Sequence, residues 1–281
     1  MSPEMKRGQE THRAAAGQNV KTFVILRVSL SVLLLAAGNA HATPSSTFWT
    51  PMTPDFQSYG VFHLGIDNYF VIRQASPSGA FPTDFTAPTV GVLPFKRLQM
   101  EVGVDYFANT DHPWLFNAKI GAPENSWFSG QPALAVGIFD AGRKFRTNRA
   151  DYDVAYGVVG KSLGPVGRFS AGPYVGNHAA LVSSSGKPAN VGVMVAYDHG
   201  FAPKRGGNGA VEYNRLVFAA DYASGKNFIG GGGCGFYYYF TKDISLLVGP
   251  TFFNDQGING KWKISAQLDI NLPQLFGRGR H

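Results

Sequence analysis

Residues 261–272 alternate without a fault: Trp262, Ile264, Ala266, Leu268, Ile270 and Leu272 fall on one face of an extended chain, and Lys261, Lys263, Ser265, Gln267, Asp269 and Asn271 on the other. A helix would mix these two sets, whereas a strand separates them. The same period recurs upstream. Phe62, Leu64, Ile66, Phe70 and Ile72 oppose His63, Gly65, Asp67, Tyr69 and Arg73, with Asn68 as the exception on the apolar side. Leu98, Met100, Val102, Val104 and Tyr106 oppose Gln99, Glu101, Gly103 and Asp105; Val191, Val193, Val195 and Tyr197 oppose Gly192, Met194, Ala196 and Asp198. No helical period of useful length follows residue 42. Gly, Pro, Asn and Asp punctuate the pattern into twelve expected strands, at 60–73, 86–93, 97–107, 114–121, 132–139, 151–160, 167–176, 190–198, 214–223, 227–240, 243–253 and 261–272.

Alternation by itself fits a soluble sandwich as well as a membrane barrel. Composition separates them. Only 15% of residues are charged, against about 25% in an average soluble protein. The polar faces carry Gly, Ala, Ser and single charges, as a crowded lumen requires, not the Lys, Glu and Thr of a solvated sheet. Aromatic residues gather near strand ends, at Tyr69-Phe70, Tyr106-Phe107, Trp114, Tyr197, Tyr222, Tyr237 to Phe240, Phe252-Phe253 and Trp262, where girdles at lipid–water interfaces belong. The mean hydropathy of −0.08 excludes a polytopic helical membrane protein but not a barrel, because alternate residues face a polar interior. Short links at 94–96, 161–166 and 241–242 fall on one side of the sheet, while 122–131 and 199–213 break that rule. The expected fold is therefore all-β: a single antiparallel transmembrane β-barrel over residues 43–281, with 43–59 as an extended lead-in.

Lys21 to Arg27, the apolar run Val28 to Ala37 and the small residues of Ala40-His41-Ala42 stand in the order of a cleavable signal peptide, expected over residues 1–42. The apolar run is too short to span a bilayer. The net charge is +7; Lys6, Arg7, Arg13, Lys21 and Arg27 against Glu4 and Glu10 place +3 of it in the leader, leaving +4 without a basic stripe. That pattern gives no footprint for nucleic acid. The single cysteine, Cys234, allows no intrachain disulfide and no cysteine metal cluster.

With its leader, alternating strands, aromatic ends and terminal strand, the mature chain resembles Gram-negative outer-membrane barrels of the porin-like class. In that class the last strand carries a polar–x–Gly–x–x–apolar–x–apolar assembly signal. Lys263, Ser265, Leu268 and Ile270 occupy its positions here, with Ser265 where Gly is usual, and the chain runs on through Pro273 to His281. The resemblance implies an outer-membrane location and, as partners, membrane lipid, the barrel-assembly machinery and small solutes.

Asp67, Glu101, Asp105, Asp153, Asp221 and Asp269 on the polar faces stand against Arg73, Lys119, Arg168, Arg215 and Lys263. Such a set lines a lumen either as ion-pair bracing or as a filter that sorts solutes by charge. Catalysis would need a positioned nucleophile and base. His63, His112, His178 and His199 with Ser183 to Ser185 supply candidates, but no Gly-x-Ser-x-Gly elbow is present. The glycine run from Gly230 to Gly235 leads into a strand, not a helix, so it is no phosphate loop. It suits a sharp bend, or a close approach by lumen contents or a neighbouring strand. The sequence calls for no cofactor and no metal. It points to a narrow passive channel for small solutes, with a non-conducting structural or envelope-assembly barrel and a lipid-modifying enzyme as rivals.

Overall fold

A computed structural model describes residues 47–49, 53–72, 83–142 and 151–272. The expected leader, residues 1–42, and the tail after Leu272 lie outside the described residues, as does Arg73. Twelve strands form one closed antiparallel barrel: β1 (Phe62–Phe70), β2 (Asp84–Gly91), β3 (Gln99–Phe107), β4 (Trp114–Ala122), β5 (Ala133–Ala141), β6 (Val154–Ser162), β7 (Arg168–Val175), β8 (Val191–Arg205), β9 (Val211–Ala223), β10 (Gly231–Thr241), β11 (Ile244–Phe253) and β12 (Trp262–Leu272). Each strand pairs with its sequence neighbours, and β12 closes on β1 over Phe62↔Leu272 to Phe70↔Ile264. Closure removes the exposed sheet edges that an open sheet must protect. A short helix α1 (Gln256–Asn259) lies between β11 and β12.

The faces are inverted relative to a soluble protein. Along β12, Lys263, Ser265, Gln267 and Asp269 are buried inside, and the apolar partners between them are more exposed. Ile66, Phe116, Val136, Val159, Val193 and Val248 are large, apolar and exposed on the outer wall. Cys234 lies on the outer face of β10, between Gly233 and the inward Gly235. Aromatic bands mark both ends of the wall. Phe85, Tyr106 and Trp114 form one chain of ring contacts, and Phe169, Tyr197, Phe218 and Phe236 form another toward the opposite end. Charge inside and hydrocarbon outside is the pattern of a transmembrane barrel. Ten strands have 8 to 11 residues, close to the span of a tilted membrane strand.

Strands β8 and β9 are longer, with 15 and 13 residues. Their hairpin continues past Asp198, where β7 stops pairing, to Arg205↔Val211, with a register shift after Lys204↔Tyr213. The expected long link at 199–213 therefore shrinks to 206–210 and joins the short set at the end where β1 begins and β12 finishes. The link at 123–132 remains long.

The lead-in is not outside the barrel. Residues 47–49 and 53–57 lie within it as a strap, and the chain leaves at Tyr59, which bridges Gly91, to enter β1. Phe48 is completely buried.

Candidate functional site: the lumen and its strap

Each fixed point of the strap has a partner on the wall. Asp221 on β9 accepts hydrogen bonds from the amides of Phe48 and Trp49, at 2.9 and 2.8 Å. The Tyr237 hydroxyl donates to the Thr47 carbonyl at 3.0 Å, and Gln267 Nε2 to the Phe48 carbonyl at 2.8 Å. Trp49 Nε1 donates to the Ile229 carbonyl at 2.8 Å. The Phe48 ring packs with Val217, Ala219, Tyr237, Tyr239 and Leu247. A Cβ at Gly233 or Gly235 would come within 2.3 or 2.7 Å of that ring. The glycine run is thus the floor on which Phe48 lies.

Farther along, charge replaces apolar packing. Arg168 Nη1 donates to both carboxylate oxygens of Asp55 at 2.6 Å, while Nε donates to Asp198 at 2.8 Å. Lys119 Nζ lies 3.1 Å from Glu101, donates to the Thr53 carbonyl at 3.3 Å and sits 5.2 Å from the centre of the Phe56 ring. Glu101 accepts the Gln57 amide at 2.7 Å, and Gln57 Nε2 donates to Asn271 at 2.6 Å. Buried charges are tolerated when paired and hydrogen-bonded, and the strap supplies half of these pairings.

Across the lumen, between the strap and β1–β5, a cavity of about 150 Å³ remains. Asp67, Asp84, Glu101, Asp105 and Asp140 line it, together with Lys119 and the rings of Trp49, Tyr69, Phe107, Phe139, Tyr156 and Phe228. Asp67 and Asp84 are direct cross-strand partners, a placement in which like charges repel. Asn117 bridges the next pair, donating to Asp105 at 2.5 Å and accepting the Asp140 amide at 3.0 Å. Asp140 reaches the cavity through a bulge. Ala118 pairs with Ile138 but Phe116 with Ala141, so β5 holds one extra residue, and Asp140 takes φ 51°. Bulges re-aim side chains in this way.

The sequence-derived residues divide accordingly. Asp67, Glu101, Asp105 and Lys119 line the cavity. Arg168 and Asp221 hold the strap. Asp269 lies 3.4 Å from His63, which also contacts Asn271 at 3.0 Å. Asp153 accepts the Gly142 amide at 3.0 Å, and Lys263 donates to the Asn259 carbonyl at 2.5 Å. The Arg215 guanidinium lies 5.6 Å from the ring centre of Tyr238. Near the β8–β9 hairpin the arginine lies beside an aromatic surface that attracts it. Asp55, Asp84 and Asp140 are additional charged members that the alternation did not single out, and Asp198, which it placed on a polar face, joins them as the second partner of Arg168.

Among the described residues no three His, Cys, Asp or Glu side chains converge closely enough to hold a metal ion. No protein-family model and no curated protein matches the chain. Solved structures give loose likenesses. A mutant porin of Rh. blastica aligns with a TM-score of 0.37 and 10% identity over 84% of this chain and 71% of that one. Salmonella typhi OmpF in complex with daunomycin gives 0.38 and 8% over 75% and 96%. An outer-membrane channel of Pseudomonas putida F1 gives 0.38 and 10% over 83% and 100%. Likenesses this loose identify no relative. The closed barrel and its inverted polarity are properties of the chain's own strands, and they make it a β-barrel of the outer-membrane type.

Proposed function

We propose that this barrel sits in the outer membrane of a Gram-negative bacterium and passes small solutes along the acidic side of its lumen, with the strap as the constriction. We further infer that the leader is removed after Ala42, which starts the mature chain just ahead of the strap. The observation that carries the reading is the pairing of a strap tied by side chains to the wall with a cavity of about 150 Å³ beside it. A purely structural barrel has no need to keep four aspartates facing open space, whereas a solute path does. Catalysis finds less support: the buried His63 is engaged with Asp269 and Asn271, and the Ser183 hydroxyl with that of Ser185.

The test is single-channel recording in planar bilayers. Wild type is expected to give small, brief openings. The double variant Phe48→Ala and Asp55→Asn, which unties the strap at both ends, is expected to raise conductance severalfold. A silent wild type with an equally silent double variant would sink the channel reading in favour of a structural barrel. That rival is favoured by one observation, the filling of the lumen beside β9–β11 by the buried Phe48 and its neighbours.

A further inference from the structure

We infer that the cavity is a binding site for a small organic cation, an amine or quaternary ammonium of about the size of benzene. As the solute class of the proposed passage it rests on that reading; as a site it needs only the cavity.

Two observations beyond the count of acids support it. Asp140 is buried to 9% exposure, its backbone amide donates to Asn117, a bulge brings it to the cavity wall, and among the described residues its carboxylate has no ion-pair or hydrogen-bond partner. Asp84 likewise leaves Oδ1 buried and unpartnered on the same surface. Unpaired buried carboxylates cost several kcal/mol, and a bound cation removes that cost. The shape of the site selects the cation. The acids are spread around the cavity and do not converge as metal ligands do. The wall between them is aromatic, from Trp49 and Tyr69 to Phe139 and Tyr156, and aromatic faces favour weakly hydrated organic cations. An apolar cavity of about 150 Å³ accepts benzene, so this one accepts a ligand of comparable size.

Isothermal titration of the detergent-solubilised barrel with choline tests this against its uncharged isostere, in which a quaternary carbon replaces the nitrogen. Choline is expected to bind saturably and the isostere at least tenfold more weakly. Asp140→Asn and Asp84→Asn are each expected to weaken choline tenfold or more, and Asp243→Asn, at the β10–β11 turn, to leave it unchanged. Folding is checked by heat-modifiable migration, and if Asp140→Asn does not fold, Asp84→Asn decides. Equal binding of choline and isostere, wild-type affinity in a folded Asp84→Asn variant, or magnesium binding more tightly than choline would overturn the assignment. Choline binding without any conductance would leave the site standing and remove the passage.

Discussion

Beside β9–β11 the lumen closes on protein, whereas between β1 and β5 the strap, tied to Glu101 and Lys119, leaves a cavity beside it. Both derive from the same period-two pattern, with small or charged residues turned inward. On the first side Ala219, Gly233 and Gly235 leave a hollow among Val217, Tyr237, Tyr239 and Leu247 in which Phe48 settles, and Arg168, Asp198 and Asp221 each meet an opposite charge or an amide donor. On the second side the inward residues include Asp67, Asp84 and Asp105, with no strap residue to neutralise them. Polarity alone does not decide whether a lumen is plugged or lined. The size of the inward side chains and the sign of their charges decide it.

If that contrast is correct, truncations on the filled side destabilise most. Phe48→Ala is expected to cost about 3–5 kcal/mol, the usual range for emptying a buried Phe site, read as a lowered urea midpoint together with the conductance rise. A midpoint equal to wild type would show that the strap is not seated. Asp55→Asn comes next. It deprives Arg168 of its closer partner but leaves Asp198 at 2.8 Å, so the expected loss is roughly 1–3 kcal/mol, below the cost of stranding a buried charge outright. On the acidic side the sign reverses. Asp84→Asn relieves repulsion from its cross-strand partner Asp67 and is expected to stabilise the barrel by about 1 kcal/mol or less. Should Asp84→Asn destabilise as much as Asp55→Asn, the two halves would not differ in the way described.

The barrel itself was legible in the sequence because period-two alternation reports on every strand locally, and all twelve expected segments overlap a strand. The contents of the lumen were less legible, for specific reasons. Asp84 and Asp140 fall just beyond the expected ends of their segments, 86–93 and 132–139, and Asp140 is turned inward by a bulge that simple parity cannot anticipate. Asp55 and Phe48 belong to a lead-in without alternation, so no pattern placed them against Arg168 and Gly233. The glycine run did carry a signal, since side chains missing from a strand interior imply a close neighbour, but it did not name the neighbour.

The smallest effect tests whether the contrast is confined to the lumen. Asp255, in the link between β11 and β12, caps α1 by accepting the Gly257 amide at 3.0 Å and ties down the 176–190 link by accepting the Ser184 amide at 2.9 Å. Burial pushes its carboxyl up, but the bonds from Ser184 and Gly257, with Lys226 nearby, outweigh that and hold it below the ordinary value of 3.8. A carboxyl depressed by folding contributes stability above its unfolded pKa and loses it as pH falls through the folded value. Protection of the Ser184 and Gly257 amides from hydrogen exchange is therefore expected to be full at neutral pH and to fade only below about pH 3.8. Asp255→Asn, itself a good capping residue, is expected to cost about 1 kcal/mol or less and to flatten that dependence. Because neither the strap nor the cavity touches Asp255, strap-dependent conductance and choline affinity are expected to be unchanged in this variant. A change in either would mean that the outer links and the lumen move together.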